Sequence, residues 1–130
     1  MINIKNLILP QLKSLHLLGK TEFVMLYGSV SAGKQTPLSD IDICISLNLP
    51  PKDRLRARMK LLGKLPEKYD LQVFEDLPLY VKKSVLAGEL LYCRNKQKTI
   101  QRALEVIRDY ADFEPIYSYY IARDKSKVKL

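Results

Sequence analysis

The stretch that decides the fold is Leu26-Tyr-Gly-Ser-Val-Ser-Ala-Gly-Lys-Gln-Thr-Pro-Leu-Ser-Asp-Ile-Asp-Ile-Cys-Ile45. Its first half almost spells a phosphate-binding loop, because Gly28, Gly33 and Lys34 give G-x-x-x-x-G-K behind an apolar run. Position 35 is Gln, where that loop needs Ser or Thr to hold magnesium, and Pro37 comes too early for a long helix to open. The next strand signal starts near Asp40, which leaves no room for the crossover that parallel strands require. Ile41, Ile43 and Ile45 alternate with Asp42, Cys44 and Ser46, so residues 40–47 are predicted as a strand. Asp40 and Asp42 lie two apart and share one face of it, while the isoleucines point to the core. Adjacent carboxylates repel each other unless cations lie between them, and a pair of magnesium ions suits such oxygen ligands.

Outward from this stretch, the pattern predicts a helix over Leu7–Leu18 with Pro10 near its start and Gly19 past its end. Phe23–Tyr27 reads as a buried strand. Asp53–Lys64 is predicted as a helix with Leu55, Met59 and Leu62 on its apolar face and Arg54 and Arg58 on the other. Tyr69–Phe74 is a third strand, Pro78 opens a helix that Gly88 ends, and Leu90–Cys93 is an edge strand. Ile100, Ala103, Leu104, Ile107 and Ala111 sustain a helical period up to Pro115, where a bend or break is expected; Asp124–Leu130 reads as a frayed tail. Asp70, early in the strand expected beside Asp42, is the candidate third acid, ahead of Glu75 and Asp76.

The 130 residues fit one domain, and 47% hydrophobic with 28% charged residues is a globular balance. No apolar run is long enough to cross a bilayer, and no secretory signal is visible, so a cytoplasmic protein without a membrane partner is expected. Cys44 and Cys93 have no zinc-type spacing and read as buried reduced thiols. The net charge of +8 is concentrated after residue 50, where it reaches +7. With Tyr110, Tyr117, Tyr119 and Tyr120 it makes weak, non-specific RNA binding a further expectation.

Gly28-Ser29, Gly33, Ser39-Asp-Ile-Asp42 and Asp70 together resemble the G-S…G…S-D-x-D…D pattern of the DNA polymerase beta-like nucleotidyltransferases. Within that superfamily the chain resembles the minimal nucleotidyltransferases, often encoded beside a helical HEPN-domain partner as toxin–antitoxin pairs. The resemblance implies an α/β (α+β) fold, a small mixed sheet with helices packed on it. It takes residues 1–130 as one domain, with a core at about 20–93 and a helical extension at about 97–123. It implies that Gly28, Ser29, Gly33 and Lys34 form the nucleotide-binding loop, with Ser29 and the N–H groups near Gly28 on the β- and γ-phosphates of ATP. Asp40, Asp42 and Asp70 are then catalytic and hold two magnesium ions, for which manganese can substitute. Many relatives carry Arg or Lys just before the second glycine, where this chain has Ala32.

The function so implied is transfer of a nucleoside monophosphate, AMP from ATP, to a hydroxyl of a macromolecule. A tyrosine of a HEPN partner is the implied acceptor, which makes the chain an antitoxin. The alternatives are a non-catalytic subunit that neutralises a partner by contact, and an RNA-binding module. The apolar Ile100–Ile121 segment predicts an interface, either with that partner or in a homodimer.

Overall fold

The computed structural model describes residues 3–28 and 40–127, with side chains described up to Asp112. The order is α1 (Ile4–Ser14), β1 (Thr21–Tyr27), β2 (Ile41–Leu47), α2 (Pro51–Leu62), β3 (Tyr69–Val73), α3 (Leu79–Leu86), β4 (Glu89–Cys93) and α4 (Lys96–Lys127), with short 3-10 turns at Leu18–Lys20 and Phe74–Asp76. The four strands form one mixed sheet in the order β3-β2-β1-β4. β1 is antiparallel to β2 and β4, and β2 is parallel to β3, joined to it by α2. This is the mixed sheet with packed helices that the sequence predicts.

Both faces of the sheet are covered. Val24, Leu26, Ile41, Ile43, Ile45, Tyr69, Leu71 and Val73 pack with Ile8 and Leu12 of α1 and Ala57 and Leu61 of α2. On the other face Phe23, Met25, Cys44 and Phe74 pack with Val85 of α3 and Val106 of α4. The rings of Phe23 and Phe74 meet edge to face at 5.0 Å, a favoured aromatic geometry. Cys44 and Cys93 are both free thiols, but only Cys44 is buried; Cys93, on the edge strand β4, is half-buried rather than buried as expected. Ser46, also buried, donates to Glu75 Oε2 at 2.5 Å, and Glu75 Oε1 accepts the Leu47 N–H at 2.9 Å. A carboxylate from the turn after β3 thus satisfies polar groups that the second layer buries.

The helices depart from expectation in three places. α1 starts earlier than predicted because Asn3 caps it, its side chain accepting the Asn6 N–H, and it ends at Ser14, so Pro10 falls inside it. α2 is rotated: Leu55 and Met59 are 60% and 57% exposed, while Ala57 and Leu61 are buried. The rotation follows from Arg58, whose Nε donates to the Leu71 carbonyl at 2.7 Å, and from Arg54, which clamps Asp76 at 2.7 Å. The small Ala57 is buried in the core that packs on the sheet. Finally, α4 continues through Pro115 to Lys127 without ending there. A proline removes one ladder bond, and the turns on either side sustain the helix. At 32 residues α4 is about 48 Å long, against about 23 Å for a seven-residue strand, so it outruns the sheet.

Candidate active site

The site candidates converge where β1 ends and β2 and β3 begin. Tyr27 pairs with Asp42 across β1 and β2, and Asp42 pairs with Asp70 across β2 and β3. Period-two alternation puts Tyr27, Asp42 and Asp70 on one sheet face, in a single row across three strands. Asp40 stands just before β2 and is exposed. Gln72, two residues along β3 on the same face, donates from Nε2 to Asp70 Oδ1 at 3.4 Å and Oδ2 at 3.5 Å.

Gly28 closes β1 with φ +75°, a left-handed conformation open to glycine at little cost. A Cβ here would collide with Asp42 Oδ2, so the glycine also makes room for the carboxylate. Ser29, Gly33 and Lys34 lie outside the described residues.

The electrostatics of the row are those of partly buried groups crowded by negative charge. Burial pushes the Asp42 carboxyl above the ordinary aspartate value of 3.8, and the nearby charges of Asp70 and Asp40 push it further. The Tyr27 phenol is pushed up to about 12, by burial first and then by Cys44, Asp42 and Asp70. Cys44 is raised by burial and by Glu75, with Lys82 opposing, which keeps it a protonated thiol. Among the described residues no three acids, thiols or imidazoles converge as a complete cation cage. Asp42 and Asp70 face each other across β2 and β3, with Asp40 just before β2. Hard oxygen donors that repel one another, beside a glycine that keeps space open, are a donor set that fits a divalent cation. The sequence reading gave Tyr27 and Gln72 no part in the site; alternation already puts Gln72 on the side of Asp70, whereas Tyr27 joins that face only through the register of β1 with β2.

A mixed sheet bearing paired acids beyond a glycine turn defines a nucleotidyltransferase fold. Residues 12–97 match the model of the family "Polymerase beta, Nucleotidyltransferase", and the chain belongs to that family. Over 63 residues, 48% of this chain, it is 44% identical to the protein named "Putative protein adenylyltransferase MJ1547" of Methanocaldococcus jannaschii. The match also covers 48% of that protein, so the chain spans about half the length of this curated relative. A chain of a toxin–antitoxin crystal structure with AMP-PNP has a TM-score of 0.74 at 24% identity, over 92% of this chain and 96% of that one. A chain of the tri-AMPylated Shewanella oneidensis HEPN toxin in complex with MNT antitoxin has a TM-score of 0.68 at 21% identity, over 92% and 93%. At these identities the likeness is one of fold. Among the described residues no helix is long and apolar enough to cross a membrane.

Proposed function

We propose that this chain transfers AMP from ATP to a hydroxyl of a macromolecule, and that the acceptor is a tyrosine of a HEPN-type toxin, which makes the chain an antitoxin. The observation that carries this reading is the Asp42–Asp70 register pair beside Gly28, a glycine that the Asp42 carboxylate itself requires. Membership of the nucleotidyltransferase family supports the reaction class. The adenylyltransferase name of the relative supports AMP as the group moved, and the toxin–antitoxin neighbours support the partner. The reading takes residues 1–130 as one domain in a cytoplasmic setting.

In this scheme Asp40, Asp42 and Asp70 would hold magnesium or manganese, which supplies the positive charge that the triphosphate and the crowded carboxylates call for. Backbone N–H groups at the Gly28 turn would take the β- and γ-phosphates, a role that Ser29, Gly33 and Lys34 would share. Gln72 restrains the Asp70 carboxylate, whose oxygen accepts the proton of the attacking hydroxyl. The hydroxyl oxygen then bonds to the α-phosphorus as the bond to the departing pyrophosphate breaks.

The test is transfer of label from ATP marked on its α-phosphate to a purified HEPN partner. Wild type should label the partner, and Asp70→Asn should bind ATP nearly as well while losing transfer. Equal transfer by both proteins would remove Asp70 from the mechanism.

A further inference from the structure

The basic run on α2 divides into two sets with different fates. Arg54 and Arg58 are spent inside the fold, on Asp76 and on the Leu71 carbonyl. Lys52, Arg56 and Lys60 are exposed, and none of them has a hydrogen-bond or ion-pair partner among the described residues. Spaced four apart, they form a cationic ridge along the outward side of the helix. Leu55 and Met59, 60% and 57% exposed, make an apolar ridge beside it. The first turn contributes one acid, Asp53, on the flank away from that apolar ridge. None of this belongs to the acid site, because α2 covers the sheet face opposite to the one that bears Asp42 and Asp70.

We propose that this face of α2 docks an acidic amphipathic helix of a partner protein. Charge complementarity selects the partner's glutamates and aspartates for Lys52, Arg56 and Lys60, and the Leu55–Met59 ridge selects an apolar stripe running alongside those acids. The two ridges together decide between classes of partner. A nucleic-acid backbone would use the cations and leave Leu55 and Met59 in water. A membrane surface calls for a longer apolar face than two side chains on a 12-residue helix. Met and Arg are side chains that protein interfaces concentrate, and α2 presents both outward. The proposal stands apart from nucleotidyl transfer and would hold if that reading failed.

The probe is a fluorescein-labelled helical peptide of about 18 residues, long enough to be helical, with leucines at i, i+3, i+4 and i+7 and glutamates on both flanks. Anisotropy titration of the full chain should show saturable binding. Arg56→Glu with Lys60→Glu, and separately Leu55→Ser with Met59→Ser, should each weaken it about tenfold or more. Both pairs lie on the surface, so their melting temperatures should stay near wild type. A control peptide with lysines in place of the glutamates should not bind. No binding of the acidic peptide, or binding that either pair leaves within about twofold, would overturn the proposal. So would oligo-uridine or anionic vesicles binding more tightly than the peptide.

Discussion

Asp42→Asn should make the metal-free protein more stable while destroying what Asp42 is there to do. The amide keeps the shape of the carboxylate and removes its charge from beside Asp70 and Asp40. Burial and those two charges raise the Asp42 carboxyl above 3.8. A group with a raised folded value favours the native state while protonated and opposes it once ionised. Its contribution is therefore lost as pH rises through the folded value, so wild type carries the penalty at neutral pH. Like charges opposed on neighbouring strands cost about 0.2–1 kcal/mol. For a chain of this length 1 kcal/mol is about 3–5 °C in Tm, so the variant should melt about 0.6–5 °C above wild type at pH 7 in chelator and low salt. The gap should narrow as pH falls through the raised Asp42 value, because wild type then takes up the proton that relieves the crowding. With magnesium and ATP the order should reverse, because a ligand that binds only the native state stabilises wild type alone. Scanning fluorimetry over a pH series reads all of this. A variant less stable than wild type in chelator at pH 7 would refute the reasoning, since Asp42 would then be stabilised by contacts rather than crowded by charge.

Gly28→Ala should cost about 1–3 kcal/mol from its positive φ alone. The new methyl must also displace Asp42, so the magnesium–ATP shift in Tm should vanish; retention of that shift would separate Gly28 from the site. Glu75→Ala leaves the buried Ser46 hydroxyl and the Leu47 N–H without their acceptor and should cost about 1–3 kcal/mol in urea denaturation. Arg102→Ala, which removes only a half-exposed partner of the same carboxylate, should cost no more than about 1 kcal/mol. Arg58→Ala should cost about 0.5–1.5 kcal/mol through the lost bond to the Leu71 carbonyl, whereas Arg56→Ala should be near neutral; equal losses would contradict the rotated α2.

The elements around the acids were legible because their signals are local. Period-two alternation in Ile41–Ile45 and Tyr69–Val73 marks strands whatever they pack against, and the apolar set it assigns to the core is buried. What alternation conceals is that Cys44 and Ser46 are buried as well, because α3 and α4 cover the second face. The facing of α2 was illegible for the same kind of reason. Its apolar stripe suggested Leu55 and Met59 inward, and the residues that turn the helix, Asp76 and Leu71, are supplied by a later strand and turn. Asp42 and Asp70 were readable as acids on strands, but their pairing needs the register of a parallel ladder, which sequence spacing does not carry. Tyr27 looked like the end of a core strand and belongs to the acid row for that same reason. Ile100, Leu104 and Ile107 of α4 are exposed, and the helix runs through Pro115, where a bend or break was expected.

The central claim is that Gly28, Asp42 and Asp70 bind a nucleoside triphosphate through divalent cations, and calorimetric titration of ATP into the full chain tests it most directly. Wild type should bind ATP with magnesium present and lose that binding in chelator, while Asp42→Asn with Asp70→Asn should show no heat of binding in either condition. Undiminished ATP binding by the double variant, or equal binding by wild type in chelator, would contradict the account.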